Sequence, residues 1–485
     1  MEFNKMALNN KDKYLDQILY KNDILERVLN RQTAGKWRAE NIPRVWEPGG
    51  GSTLYKFWID DKPYFLKVKH SSVTVESKLE EEADYIHKSS LENEYDVIKE
   101  LNGRYCPDIA FFDKEEEFDF LAFEYVPYSL TDQLSDSSIE EMLNMWRKLE
   151  QAVNGLFEKG FVHCDLHENN IRVRADGSIV IIDYEESRKL TQNYSFKKSL
   201  DYIGYNSISV LGEFPLSVKQ QYHNHYNCML RLKELWKEYI LKNISGLLKK
   251  CNYDSGNGIC NTLDHGKSEF IYQSIDTKYL RVKGQRGIFD CRLGILNIIT
   301  DMLFGNNSFT FIDVGSNNGN FCRNVTEHTD NRARCIGLEG FHEFNVLAKT
   351  IAFLEDKDDI EFYDFLCGKD SLEHLNIEKN SFMSICSVYH HIIDKEVFLR
   401  QIKLENIDYI LFELAVQPEC YSGKSWRDEL AYIMESLQFS ANMLLGYSKD
   451  YHRPLVLISR NKLESKTAKK IKIECEKYLS NGDIG

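Results

Sequence analysis

The sequence predicts two domains, an α+β domain of two lobes followed by an α/β domain with an open, parallel, doubly wound sheet. Three observations lead there. At 485 residues the chain is longer than one hydrophobic core usually supports. Across the polar, glycine-bearing stretch 251–267 the pattern changes from mixed strands and helices to regular strand–helix alternation. Each half also holds its own compact loop motif, at 161–170 and at 311–320. The expected boundaries are 1–250 with a helical extension at its start, a linker at 251–267, and 268–485 with a helical tail.

Taken in order, the first forty residues place Leu15, Ile18, Leu19, Leu25, Val28 and Leu29 at helical spacing, which predicts amphipathic helices leading into the first domain. Residues 52–70, STLYKFWIDDKPYFLKVKH, read as two antiparallel strands joined at Asp60-Asp61-Lys62-Pro63, a turn in which the proline pre-sets its own backbone angle. A helix is expected from Glu82 to Leu101, strands at Ile109–Phe112 and Phe118–Tyr125, and helix again at Ser138–Lys159 and over 216–250. After the linker, FTFIDVG, RCIGLEG, IEFYDFL, SFMSICSVY, YILFELAV and LVLIS are short apolar strands separated by helix-length segments. The tail NKLESKTAKKIKIECEKYL is expected to form a basic amphipathic helix on its own domain.

Composition narrows the function. A hydrophobic share of 42% with 28% charged residues is that of a folded chain rather than a disordered one. No apolar run is long enough to span a bilayer, and the start lacks the basic-then-apolar order of a signal peptide, so a cytoplasmic protein is expected. There the 12 cysteines read as reduced thiols. Cys251 and Cys260 are wrongly spaced for a zinc knuckle. A formal net charge of −14 argues against a phosphate-tracking surface, so no nucleic acid is expected as a partner.

The most specific motif is Phe161-Val-His-Cys-Asp-Leu-His-Glu-Asn-Asn170 followed by Ile179-Val-Ile-Ile-Asp-Tyr-Glu185. Phosphoryl transfer needs a carboxylate to orient the attacking hydroxyl, and an amide and a second carboxylate to hold magnesium against the phosphates. The spacing resembles the catalytic loop and metal-binding segment of the protein-kinase-like superfamily. The resemblance implies Asp165 as base with His163 beside it, Asn170 and Asp183 as magnesium ligands, and ATP as cosubstrate. It also implies Lys67 on the α- and β-phosphates, with Lys69 a rival on the same strand face, and Glu94 as the ion-pair partner ahead of Glu92. Gly49, Gly50, Gly51 and Ser52 would drape backbone N–H groups over the phosphates, Glu124 and Val126 would hold adenine, and Asp201 would support the loop. Asp-Tyr-Glu stands in place of D-F-G, no A-P-E follows, and His167 gives an H-x-D-L-H form more typical of sugar and small-molecule kinases. These departures favour a metabolite, sugar or glycan hydroxyl as acceptor.

In the second half, Phe311-Ile-Asp-Val-Gly-Ser-Asn-Asn-Gly-Asn320 follows a strand and precedes a helical pattern. It resembles the glycine-rich first motif of class I methyltransferases that use S-adenosylmethionine (SAM), a Rossmann-like family, with nicotinamide binding the runner-up. The resemblance implies contacts from Asp313, Gly315, Asn317 and Gly319, from Glu339 to the ribose hydroxyls, and from Asp364 near adenine. His390 and His391, ending the fourth strand, are candidates to line the acceptor pocket, and Arg286 and Arg292 to pin an anionic acceptor.

The pair of activities resembles the bifunctional enzymes that terminate bacterial O-antigen chains by phosphorylating a terminal sugar and methylating that phosphate. Such a role implies a sugar, glycan or small-molecule acceptor and a place at the inner face of the membrane in a glycan-synthesis complex. The kinase-like half comes first here and no long coiled coil is present, unlike the best-known members, so a polymer-measuring role lies outside the expectation. Modification of separate positions on a nucleoside or antibiotic, or one domain serving as a nucleotide- or SAM-binding scaffold, are the alternatives.

Overall fold

The computed structural model describes residues 23–39, 53–70, 90–115, 118–163, 165–189, 216–251, 271–287, 290–405, 407–449 and 451–481. Its contacts divide the chain into two units, Met1–Tyr239 and Ile240–Gly485. Among the described residues no helix is long and apolar enough to cross a membrane. The described cysteines are free thiols, and Cys251 donates its thiol to the Glu343 carbonyl.

The first unit opens with helix α1 over residues 23–33. Strands β1 (Trp37–Ala39), β2 (Thr53–Ile59) and β3 (Lys62–His70), helix α2 (Leu91–Leu101), and strands β4 (Ile109–Glu115) and β5 (Phe118–Glu124) follow. The strands form one antiparallel sheet in the order β1-β2-β3-β5-β4. Alternation along β3 sends Leu66 and Val68 to one face, where they meet Ile24, Leu25, Val28 and Leu29 of α1. Lys67 and Lys69 therefore go to the other. The β2–β3 turn departs from expectation: Asp60 and Asp61 make it, both with positive φ (46° and 65°), while Pro63 lies inside β3 opposite Trp58. A two-residue turn with both positions left-handed matches the twist of the flanking strands, and aspartate tolerates that backbone well.

The rest of the unit comprises β6 (Tyr128–Ser129), α3 (Leu130–Asp136), α4 (Ile139–Glu158), β7 (Phe161–Val162), β8 (Ile171–Val173), β9 (Ile179–Ile181) and β10 (Arg188–Lys189), and α5 (Leu216–Lys250) begins within it. Ser138 and Glu141 close a reciprocal capping box that starts α4. The apolar stripe of α4 is buried along its length, and Trp146 meets Trp236 of α5 edge-on at 5.2 Å. Trp236 also donates its indole N–H to the Met142 carbonyl at 2.9 Å.

In the second unit four short strands, β11 (Ile271–Gln273), β12 (Ile275–Asp276), β13 (Arg281–Val282) and β14 (Gly284–Arg286), precede α6 (Cys291–Leu303). Then come β15 (Phe309–Val314), α7 (Asn320–His328), β16 (Ala333–Glu339), α8 (His342–Leu354), β17 (Glu361–Asp364), β18 (Ser381–Cys386), α9 (Lys395–Leu404), β19 (Tyr409–Glu413), α10 (Trp426–Leu437), β20 (Ala441–Tyr447), β21 (Pro454–Ser459) and α11 (Ser465–Asn481). Seven strands make one sheet in the order β17-β16-β15-β18-β19-β21-β20. Its two faces carry separate apolar cores. The expected all-parallel sheet is corrected: β21 runs antiparallel to both neighbours, because a tight connection returns β20 directly into it. The tail helix packs within this unit, with Ile471 and Cys475 buried in the core that holds Ile295 and Phe311.

Candidate functional sites

In the first unit the strand register and the helix register meet at Lys67. Its Nζ lies 2.9 Å from Glu94 Oε2, 2.6 Å from Asp183 Oδ1 and 2.6 Å from Glu185 Oε1. Lys69, on the same face, pairs with Glu185. Glu92 points elsewhere and meets Lys114 at 2.7 Å. Burial works against the Lys67 ammonium, but Glu94, Glu185 and Asp183 together more than offset it and raise its pKa. Burial also pushes Glu185 up, yet the two lysines win and bring it to about 2. Every member of this buried charge network has a partner, although burial outweighs Lys67 at Glu94 and raises its pKa.

The catalytic-loop residues assemble next to it. Asn170 donates its amide N–H to the Asp165 carbonyl at 2.8 Å and to Asp165 Oδ2 at 3.3 Å, so the oxygen of its amide is the atom it can offer to a cation. The backbone N–H of Ile182 bonds the Asn170 carbonyl, tying this loop to the segment that carries Asp183. Asp183 itself is left-handed, with φ 65° and ψ 61°. The Asp165 side chain is half-exposed, with His167 Nε2 at 3.7 Å. His163 is fully buried: Nε2 lies 2.9 Å from the Ile182 carbonyl and Nδ1 accepts the Asp165 N–H. Burial lowers its pKa, so the ring is neutral, protonated at Nε2, and acts as a brace rather than an acid or base.

Glu124 ends β5 and Val126 lies just past it, at the position expected for a hinge. The Glu124 carboxylate is clamped by Arg174 at 2.9 and 2.8 Å, and Val126 is buried. Gly49, Gly50, Gly51, Ser52 and Asp201 lie outside the described residues.

In the second unit the glycine-rich turn leaves the end of β15 at the point where the strand order reverses, the crevice in which open α/β sheets bind ligands. Gly315 and Gly319 both have positive φ (73° and 74°), and a side chain at either would collide, with Val388 or with Phe362. Asn317, in the place of a middle glycine, is also left-handed at φ 50°. Its N–H donates to Glu339 Oε2 at 2.7 Å, and the Phe341 N–H donates to Glu339 Oε1 at 3.0 Å. Asp313 is buried beneath the turn and accepts from Ser384 Oγ at 2.6 Å, and burial pushes its pKa up to about 7. Asp364, at the end of β17, is half-exposed and bonded to His342 and Asn345.

His390 and His391 stand just past β18, their rings 4.0 Å apart. Burial keeps both neutral and brings His390 to about 3. Arg292 is fully buried against Asp290 and, at 2.9 Å, Glu413. Arg286 donates to Tyr272 at 2.7 Å and to Ser387 at 3.0 Å, with Glu413 at 3.8 Å. The structure therefore commits these two arginines to an internal network around Glu413 instead of aiming them at an acceptor.

Residues 49–223 match the protein kinase domain model. The chain is 26% identical over 148 residues to the probable serine/threonine-protein kinase glkA of Dictyostelium discoideum, covering 29% of this chain and 30% of that protein. It is 24% identical over 134 residues to the rat citron rho-interacting kinase, covering 26% and 6%. With a probable cell division protein kinase of Encephalitozoon cuniculi it shares 30% over 80 residues, covering 16% and 26%. This part of the chain is a protein kinase domain. The chain thus spans under a third of the length of each of these relatives. A solved structure, the kinase PK-1 of Cydia pomonella granulovirus, aligns at 16% identity over 35% of this chain and 58% of its own, with a TM-score of 0.26.

Three members of the kinase domain's site were not singled out from sequence. Glu185 stands two residues after Asp183, and the signal was the second acid in Asp-Tyr-Glu. Among the described residues it forms, with Glu94 and Asp183, the one group of acids whose oxygens come within 4.8 Å of one another. Asn93 ties α2 to this segment through the Glu185 and Ser187 carbonyls at 3.0 and 2.9 Å. Arg174 had no local signal, because its partner Glu124 is 50 residues away.

Proposed function

We propose that the chain phosphorylates a hydroxyl of a sugar or glycan terminus with ATP and then transfers a methyl group from SAM to the phosphate it has installed. What carries the first step is the Lys67 bridge between Glu94 and Asp183 beside the Asp165–Asn170 loop, within a kinase domain. The carboxylate oxygens of Asp183 and Glu185, which lie close together, and the amide oxygen that Asn170 leaves free would suit a hard cation such as magnesium, which when bound neutralises phosphate charge. Asp165 orients the acceptor hydroxyl and receives its proton, Lys67 grips the nucleotide phosphates, and Glu94 holds Lys67 in place. The half-exposed His167 beside Asp165 favours a small polyhydroxyl acceptor, since it offers a second polar contact at the reacting hydroxyl.

The methyl-transfer step rests on the glycine-rich turn and Glu339. A dinucleotide sheet runs 3-2-1-4-5-6 and carries one mononucleotide on each half. Here the antiparallel β21 interrupts the second half, which favours a single nucleoside-type ligand such as SAM over a nicotinamide dinucleotide. Each Glu339 oxygen accepts one backbone N–H and keeps a lone pair for a ribose hydroxyl. SAM supplies an activated methyl group when bound, and the protein's part is in-line positioning of an acceptor oxygen that is already anionic. A serine or threonine side chain is the second reading of the kinase acceptor, favoured by the name of the Dictyostelium relative. Incubation of the purified chain with ATP, SAM and either monosaccharides and glycans or a peptide library, followed by mass spectrometry, tests both. Phosphate on peptides alone would remove the sugar reading.

A further inference from the structure

The carboxyl edge of the second sheet holds three buried arginines with different partners. Arg286 and Arg292 share Glu413. Arg453 is only 5% exposed, yet among the described residues its guanidinium meets no carboxylate, and its Nε has no hydrogen-bond partner. Its aromatic neighbour is the Tyr451 ring, 4.9 Å from the guanidinium carbon. A buried cation without a counter-charge destabilises its own fold, so its presence points to a ligand that brings the missing charge.

The position suits such a ligand. Arg453 immediately precedes β21, whose antiparallel course puts its first residue beside the end of β19, where Pro454 accepts the Leu414 N–H at 3.2 Å. His390 and His391, at the end of β18, lie within range of the Arg453 charge. His390 Nδ1 is a second buried polar atom without a partner. Val388, two residues earlier, packs on Gly315 of the glycine-rich turn. An orphan cation and an orphan imidazole nitrogen therefore share the sheet edge at which the turn sits.

We propose that Arg453, with His390 beside it, is the anion-binding subsite of the second unit and receives the phosphate monoester of the methyl acceptor. This rests on the methyl-transfer reading for the acceptor's role, although the orphan charge itself does not. A phosphate monoester supplies the missing counter-charge and oxygens for both Arg453 and the imidazole. The carboxylate of SAM is the other source of an oxyanion, and the experiment separates the two.

The full chain, Arg453→Gln and Arg453→Lys are titrated calorimetrically with phenyl phosphate and, separately, with SAM, and their thermal unfolding is recorded. Binding common to all three belongs to the kinase domain, so the difference between proteins reports on Arg453. Arg453→Gln is expected to lose phenyl phosphate affinity by roughly tenfold or more, the worth of one charge-assisted contact. Its SAM affinity should stay unchanged, its unfolding temperature should not fall, and Arg453→Lys should recover part of the affinity. Equal phenyl phosphate affinity in all three overturns the proposal, as does a selective loss of SAM affinity, which would give Arg453 to the cofactor. A lowered unfolding temperature with unchanged phosphate binding overturns it too, making Arg453 structural. An Arg453-dependent phosphate site in a chain that does not bind SAM supports the anion site and removes the methyl-transfer reading beneath it.

Discussion

Lys67 is where a residue-level reading meets its limit. Lys67 and Lys69 share a strand face by period two, and nothing local separates them. Only the three-dimensional register does, by setting Glu94 on one and Glu185 between both. Asp165 and Asn170 stand out by their spacing, and the structure brings them into hydrogen-bond contact. Replacing Asp165 by Ala should lower phosphate transfer by about 10²- to 10⁴-fold, the usual share of a positioned base. SAM binding should be untouched, as coupled ATP-consumption and calorimetric measurements would register. Glu185 gives a pH prediction. Its pKa in the folded chain, about 2, lies below the ordinary 4.5, so the stability it contributes is complete above 4.5 and lost as pH falls through about 2. Acid unfolding followed by circular dichroism should be less steep over that window in Glu185→Gln than in the parent chain.

At the scale of elements, long periodic segments were readable and short or irregular ones were not. The helix at Ile139–Glu158 and the strands at Phe309–Val314 and Ser381–Cys386 carry continuous apolar patterns and lie close to their expected places. β20 escaped because a bulge between Leu444 and Gly446 breaks its alternation, and most of its residues are only half-buried. β11 to β14, two or three residues each, are too short to show any period. The glycine-rich turn was legible because two left-handed positions in close contact tolerate little else. Gly319→Val should test it: a Cβ there would stand 2.6 Å from Phe362, on a backbone with φ +74°. SAM affinity measured by calorimetry should be lost while ATP-dependent phosphorylation persists. Wild-type SAM affinity in that variant would mean the turn does not hold the cofactor.

For the whole molecule, the sequence pattern changes across 251–267, and the contacts divide the chain earlier, between Tyr239 and Ile240, within α5. Strand direction was not legible: LVLIS reads the same in either sense, and only the connection from β20 decides that β21 runs against its neighbours. In the proposed sequence of reactions, the product of the kinase domain serves as the acceptor for methyl transfer. The most direct measurement gives the Asp165→Ala chain SAM together with either a glycan plus ATP or the same glycan already phosphorylated by synthesis, and weighs the products. The expected result is methyl gain on the phosphorylated glycan alone. Methyl gain on the unphosphorylated glycan, or none on either while SAM binds, contradicts the claim.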